Sequence, residues 1–149
     1  ADGLHRWRRV TQITEVRKNW EQDPLVERGF VDLMRYDPKQ EMLIPSDDLI
    51  NGDSEIIKSI GGNVKEWAGN WDAIWDNILL RAKIKETIVE YYNRIKNNLI
   101  LEASFVIDSN DQFHRISEIV REEIGYLDSK RIFFSWEEWL KRKIRMRQF

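Results

Sequence analysis

The sequence predicts an α+β fold, mostly helical: a small antiparallel β-meander at the N-terminus followed by a bundle of amphipathic helices. Two observations carry this. Extended runs rich in β-branched and aromatic residues lie early in the chain and are separated by turn residues. From Ile56 onward the apolar residues recur at helical spacing, with capping residues between the runs. Residues 1–45 are expected to form the meander and residues 46–149 the helical domain.

The first strand is expected over Val10 to Val16, and Glu21-Gln22-Asp23-Pro24 reads as a turn. The second strand, Phe30 to Tyr36, sets Val31, Leu33 and Arg35 on one face and Phe30, Asp32, Met34 and Tyr36 on the other. Asp37-Pro38-Lys39-Gln40 is a reverse-turn signal, because proline presets φ and aspartate suits the first turn position. Glu41 to Pro45 returns as a third short strand.

Asp53 or Ser54 is placed to cap a short helix with Ile56, Ile57 and Ile60 on its apolar face, and Gly61-Gly62 to end it. Asn63 with Glu66 marks the next helical turn, and Asn70 recaps after Gly69. A long helix is expected from Trp71 through Ile74, Trp75, Ile78, Ala82, Ile88 and Ile95 to Leu99. Leu101 to Ile107 fits either helix or strand, and Asp108-Ser109-Asn110-Asp111 is expected to break the pattern. Phe113, Ile116, Ile119, Val120 and Ile124 mark another amphipathic helix, closed by Gly125. Ser135 with Glu138 is a capping-box pattern for a last helix from Trp136 to about Arg147.

With 149 residues, 42% of them hydrophobic and seven of them Trp, the chain has enough apolar volume for a packed core. It contains no cysteine, which excludes a disulfide framework, a thiolate zinc site and a cysteine nucleophile. No apolar stretch approaches the ~18 residues that cross a bilayer, and no secretory signal pattern precedes the first strand, so a soluble chain is expected. The net charge of −2 is unevenly spread. Residues 1–20 carry +3, from Arg6, Arg8, Arg9, Arg17 and Lys18 against Asp2 and Glu15. Residues 139–149 carry +5, from Lys141, Arg142, Lys143, Arg145 and Arg147 with no acid. Basic ends on an acidic body either meet separate partners or pair with acidic faces of the same or a neighbouring chain.

Few residues suggest chemistry. Gly61-Gly62-Asn63-Val64-Lys65 lacks the Gly-Lys-Ser/Thr that brings a lysine and a magnesium-binding hydroxyl to a phosphate cradle. His114, Glu118 and Glu122 share a helical face and suit either a divalent cation or ordinary side-chain pairs. No catalytic, cofactor-binding or metal-binding residue is assigned. Trp67, Trp71 and Trp75 form a stripe suited to core packing or to stacking on sugars or bases. Trp136 and Trp139, followed by the five cations of residues 141–147, compose an amphipathic helix with a basic end. Such a helix suits an anionic membrane surface, nucleic acid or an acidic protein, or else a packed tryptophan anchor with a solvated tail.

The order Arg8-Arg9-Val10-x-x-Ile13-x-Glu15, then Phe30-x-Asp32-Leu33-x-x-Tyr36-Asp37-Pro38, then Ile56-Ile57-x-x-Ile60-Gly61 and a later Arg81 resembles the region after the nucleotide-binding core of secretion-type motor ATPases. The likeness is to the archaeal branch of the type II/type IV secretion, pilus and archaellum ATPases, and it spans roughly residues 8–95. It implies that the meander closes a RecA-like motor domain and that the helices form its C-terminal extension. It also implies a hexameric ATPase at the cytoplasmic face of the membrane, with the motor core, neighbouring subunits and a membrane platform protein as partners. ATP and magnesium would belong to the full-length parent. The phosphate loop and catalytic carboxylate of the family lie upstream, so this chain by itself is expected to be inert. Only seven residues precede Arg8 and none is an initiator Met, which fits a longer parent. Under this resemblance Arg8 and Arg9 take a packing or subunit-contact role, and Trp136, Trp139, Lys141, Arg142, Lys143, Arg145 and Arg147 become the partner-binding set. The alternative is a freestanding helical module that binds an anionic membrane, or less readily nucleic acid, through its basic last helix.

Overall fold

A computed structural model describes residues 6–149. The fold is α+β and mostly helical, with a three-stranded antiparallel sheet preceding the helices. Two compact units are present, one ending at Trp75 and one running Asp76–Phe149.

In the first unit the strands are β1 (Gln12–Val16), β2 (Phe30–Asp37) and β3 (Met42–Pro45), in that order across the sheet. The β1–β2 register passes from Ile13↔Met34 to Thr14↔Asp32, so Leu33 has no partner on β1 and forms a bulge. Strand pairing begins at Gln12 rather than Val10, although the Tyr36 N–H still donates to the Thr11 carbonyl at 2.8 Å. The turn at residues 38–41 forms where the Asp-Pro signal put it, and Asp37 Oδ1 accepts the Lys39 N–H at 2.9 Å.

Val31 and Leu33 share a face, as the alternation set them, and that face is the inner one; beyond the bulge the alternation fails, because Met34 packs against the inner cluster and Arg35 bonds the outer Asp32. Val31 and Leu33 meet Leu49 of α1 (Asp47–Ile50), a short helix not anticipated from the sequence. Ser46 caps that helix and ties it to β2. Its Oγ accepts the Leu49 N–H at 3.1 Å as the N-cap and donates to the Asp32 carbonyl at 2.7 Å. The first unit therefore continues through residue 45, where the sequence reading divided the chain, and ends at Trp75.

Helix α2 (Glu55–Gly62) is capped by Ser54, whose Oγ accepts the Ile57 N–H at 3.1 Å. Gly61 and Gly62 lie inside the helix, and its C-cap is Asn63 in right-handed conformation, not a left-handed glycine. Gly61 serves close packing instead: a Cβ there would lie 2.5 Å from Ile74 Cδ1. Asn63 does not cap the following 3-10 turn, Lys65–Trp67, which opens from Val64 without a side-chain bond. Asn70 does cap α3 (Trp71–Ile95), since its Oδ1 accepts the Ala73 N–H at 3.1 Å.

Trp71 and Trp75 are stacked, with centroids 6.2 Å apart, and pack half-buried against the sheet cluster. The Trp71 indole N–H donates to the Ile50 carbonyl at 2.8 Å. These two are core tryptophans; Trp67 lies off the helix in the 3-10 turn.

The second unit is three helices: α3 from Asp76, α4 (Ala103–Ile124) and α5 (Ser129–Arg145). Its core joins Leu80, Ile84 and Ile88 of α3 to Phe105, Phe113, Ile116 and Val120 of α4 and to Ile132, Trp136, Trp139 and Leu140 of α5. Three boundaries differ from expectation. Helix α3 ends at Ile95, because Lys96 turns left-handed (φ 53°), and a 3-10 segment Asn98–Leu101 follows. Helix α4 runs unbroken through Asp108–Asp111: Ser109 is buried and its carbonyl accepts the Trp136 indole N–H at 3.3 Å, while Asp108, Asn110 and Asp111 face solvent. Packing on one face outweighs the weak helix propensity of these four residues. Helix α5 starts six residues before Ser135, capped by Asp128, whose Oδ1 accepts the Arg131 N–H at 3.1 Å. Ser135 is an exposed mid-helix residue, which leaves Ile132 free to join the core. Gly125 closes α4 at φ 83°, as expected.

Gly52 sits at φ 87°, and a Cβ there would approach Trp71 Cγ to 2.7 Å. Gly52→Ala should therefore destabilise the first unit by about 2–4 kcal/mol, combining left-handed strain with overpacking. A lowered urea midpoint is expected, and an unchanged one would reject this packing.

Candidate docking surfaces

The inner face of β1 carries a charge. Glu15 is 3% exposed and lies beside Val31 across the ladder. Its carboxylate accepts the Glu55 N–H at 2.9 Å and the Ser54 hydroxyl, so it caps α2 from the strand. The Arg17 guanidinium approaches Glu15 at 3.4 Å and donates to the Asp53 carbonyl. Burial alone would raise the Glu15 pKa. The bonds from Ser54, the Glu55 and Ile56 amides and Arg17 outweigh it and hold the carboxyl below its ordinary value. Position counting did not assign Glu15 a role; the available signal was an acid on the same strand face as the inward valine and leucine of its neighbour.

The outer face is different. Gln12, Thr14 and Arg35 all donate to the Asp32 carboxylate, with Thr14 Oγ1 at 2.8 Å, and Arg35 first, then Thr14 and Gln12, lower its pKa. Beyond this network Val16 and Phe30 form an exposed cross-strand pair. The β1–β2 connection is built rather than slack. The Glu27 carboxylate accepts the amides of Glu21, Gln22 and Asp23, at 2.7 Å for Asp23, and the Gly29 N–H returns to the Pro24 carbonyl at 2.6 Å. This loop presents Leu25, 80% exposed, and Val26, 78% exposed. With the sheet, Leu25 borders a shallow depression of about 890 Å³ lined also by Gln12, Thr14, Phe30 and Asp48. Among the described residues each edge strand, β1 and β3, pairs only with β2.

Arg8 and Arg9 are exposed ahead of β1. Arg9 pairs with Glu41 of the β2–β3 turn at 2.8 Å and lies 5.0 Å over the Trp7 ring. Arg8 shows only its carbonyl bonding to the Arg9 guanidinium, at 3.2 Å.

On α5 the partner-binding set of the sequence reading separates. Trp136 is 0% exposed and Trp139 is 7% exposed, and both belong to the core. A correction follows: they anchor α5 and present no surface to a partner, because the apolar stripe of α5 is consumed by α3 and α4. Lys141 pairs with Glu138 at 3.4 Å and Glu137 at 3.5 Å. Arg142, Arg145 and Arg147 are exposed and make no ion pair among the described residues, and Lys143 lies 6.0 Å over Trp139. Glu118 pairs with Arg121 at 2.7 Å, and His114 lies edge-on to Phe113 at 5.2 Å. Among the described residues no group of three metal-ligating side chains converges, and no helix is long and apolar enough to cross a membrane.

No protein-family model, curated protein or solved structure matches the chain.

Two expectations follow. Glu15 in the unfolded chain titrates near the ordinary 4.5, and in the fold it titrates lower. The stabilisation is therefore complete above about pH 4.5 and is lost as pH falls through the lowered folded value. Glu15→Gln should flatten that acid limb and cost about 1–3 kcal/mol at neutral pH; urea melts between pH 3 and 7 measure both. Trp136→Ala should cost about 3–5 kcal/mol, whereas Arg145→Gln should change stability by less than about 0.5 kcal/mol. Equal midpoints for the two variants would contradict the division of α5 into a buried stripe and a solvated basic end.

Proposed function

We propose that this chain is the end of a motor domain and its helical C-terminal extension, from a secretion or pilus-assembly ATPase, and that it couples the motor to partners at the membrane. The observation that supports this best is the exposed apolar outer side of the sheet. Val16, Phe30, Leu25 and Val26 are held outward by an ordered strand pair and an ordered loop, beside a β1 edge that no further strand of the described residues pairs with. A contiguous apolar patch with free strand hydrogen-bonding groups is costly in water and suits a covering β/α body. Several residues that carry the family likeness belong to the same sheet unit. Arg8 and Arg9 lead into β1, Glu15 locks β1 to α2, and Asp32 organises the outer polar network. In this reading the nucleotide-binding core covers the outer sheet face, Arg8 and Arg9 contact that core or the next subunit of a hexameric ring, and the second unit carries the contacts to the membrane platform. ATP and magnesium act in the core, so the chain alone binds neither productively.

The test has two parts. The coding sequence upstream should contain a Gly-x4-Gly-Lys-Ser/Thr loop, and its absence there would reject the motor reading. In the longer protein, Phe30→Asp with Val26→Asp should reduce ATPase activity and ring assembly at least tenfold, whereas the 149-residue chain with the same changes should keep its unfolding midpoint to within about 0.5 kcal/mol. Full ATPase activity in that double variant would show that the outer face is not the motor contact.

A further inference from the structure

The second unit brings cations from two helices to one end. Helix α3 closes there with Arg94 and Lys96, and α5 closes there with Arg142, Lys143, Arg145 and Arg147. That these termini share an end follows from the core. Phe105 in the first turn of α4 stacks on Trp139 of α5 at 5.7 Å and meets Phe149 at 5.9 Å, while the 3-10 segment joins α3 directly to α4. Lys141 is also close enough to Tyr91 of α3 to interact with it electrostatically. The acids nearest this end are Glu102, the backbone N-cap of α4, and exposed Glu90, one turn before Arg94, so the cations outnumber them; Glu137 and Glu138 lie further back and hold Lys141.

Apolar side chains stand among the charges. Leu99 is 54% exposed and Leu101 43% exposed, on either side of fully buried Ile100, and Met146, which ends α5, is 57% exposed. Arg94 and Lys96 lie 5.2 and 5.6 Å over the rings of Tyr91 and Tyr92, so these cations are carried on half-buried aromatic platforms.

We propose that this end of the bundle docks on an anionic phospholipid bilayer. The cations would meet the headgroups, and Leu99, Leu101 and Met146 would enter the headgroup–acyl boundary. Charge complementarity selects an anionic partner, and the interspersed leucines and methionine select a bilayer among anionic partners. A nucleic acid offers phosphate to the cations and nothing to those three side chains, and the two tyrosine faces that would stack on bases lie under their own cations. The proposal concerns the second unit alone and stands independently of what covers the outer sheet face.

Co-sedimentation of the full chain with phosphatidylcholine vesicles, with and without phosphatidylglycerol, tests it. Binding is expected only with phosphatidylglycerol, and it should weaken as salt rises. Each cation near such a surface strengthens binding about fivefold, so the triple variant Arg142→Gln, Arg145→Gln, Arg147→Gln should bind about a hundredfold more weakly. Leu99→Ser with Met146→Ser should bind about tenfold more weakly at unchanged charge. Far-ultraviolet circular dichroism checks that each variant is folded; should the triple variant unfold, the single variant Arg145→Gln and the salt titration of the wild type carry the charge test. Phe30→Asp should leave vesicle binding unchanged, which separates this surface from the motor contact. Free glycerol phosphate at equal headgroup concentration should not displace the vesicles. The proposal is overturned by the absence of salt-sensitive vesicle binding, by full binding of the leucine–methionine variant, by displacement with glycerol phosphate, or by equal affinity for a short DNA duplex.

Discussion

A buried carboxylate ties strand to helix in the first unit. Glu15 points inward from β1 and meets the amides that open α2, while Ser54 bonds both the carboxylate and the helix it caps. The cost of removing a charge from water is offset only because several donors converge on it, one of them the Arg17 guanidinium. Everything around it depends on that convergence. Arg17 also holds the Asp53 carbonyl just before the cap, and in the helix so fixed Ile57 lies against the inner cluster and Gly61 against Ile74.

The same strand presents opposite chemistry on its two sides. Inward it carries a satisfied charge beside Val31 and Leu33; outward it carries a hydrogen-bonded polar network and then bare apolar side chains. An isolated sheet that buries its acid and exposes its phenylalanine has its solvent-facing order inverted at that point. This inversion, together with a β1 edge that no further strand of the described residues pairs with, is what the proposed motor contact rests on.

The second unit obeys a simpler rule. Its three helices each contribute an apolar stripe to one core, with Trp136 at zero exposure, and the surface left over is mostly charged, with single apolar side chains such as Ile107 and Phe134 standing out of it. The tryptophans and the cations of α5, adjacent in sequence, thus fall into different roles. Periodicity alone cannot separate them, because a helix that packs and a helix that lies on a membrane carry the same amphipathic pattern.

Local chemistry in the sequence was sufficient for the α+β class, the shared face of Val31 and Leu33, the turn after Asp37, a cap at Asp53 or Ser54, the Asn70 cap and the closure at Gly125. Each rests on a dihedral preference or a hydrogen bond to a residue only a few positions away. Tertiary packing decided the rest. It carried α4 through four polar residues, moved the cap of α5 from Ser135 to Asp128 and its start from Trp136 to Ser129, turned Gly61 from a helix stop into a contact surface, and buried Trp136 and Trp139. It also made Glu15 a cap for a helix some forty residues away and gathered Arg94, Lys96 and the α5 cations at one end of the bundle. These outcomes depend on which face meets which neighbour, and a buried contact can outweigh a cap or a propensity worth about 1 kcal/mol.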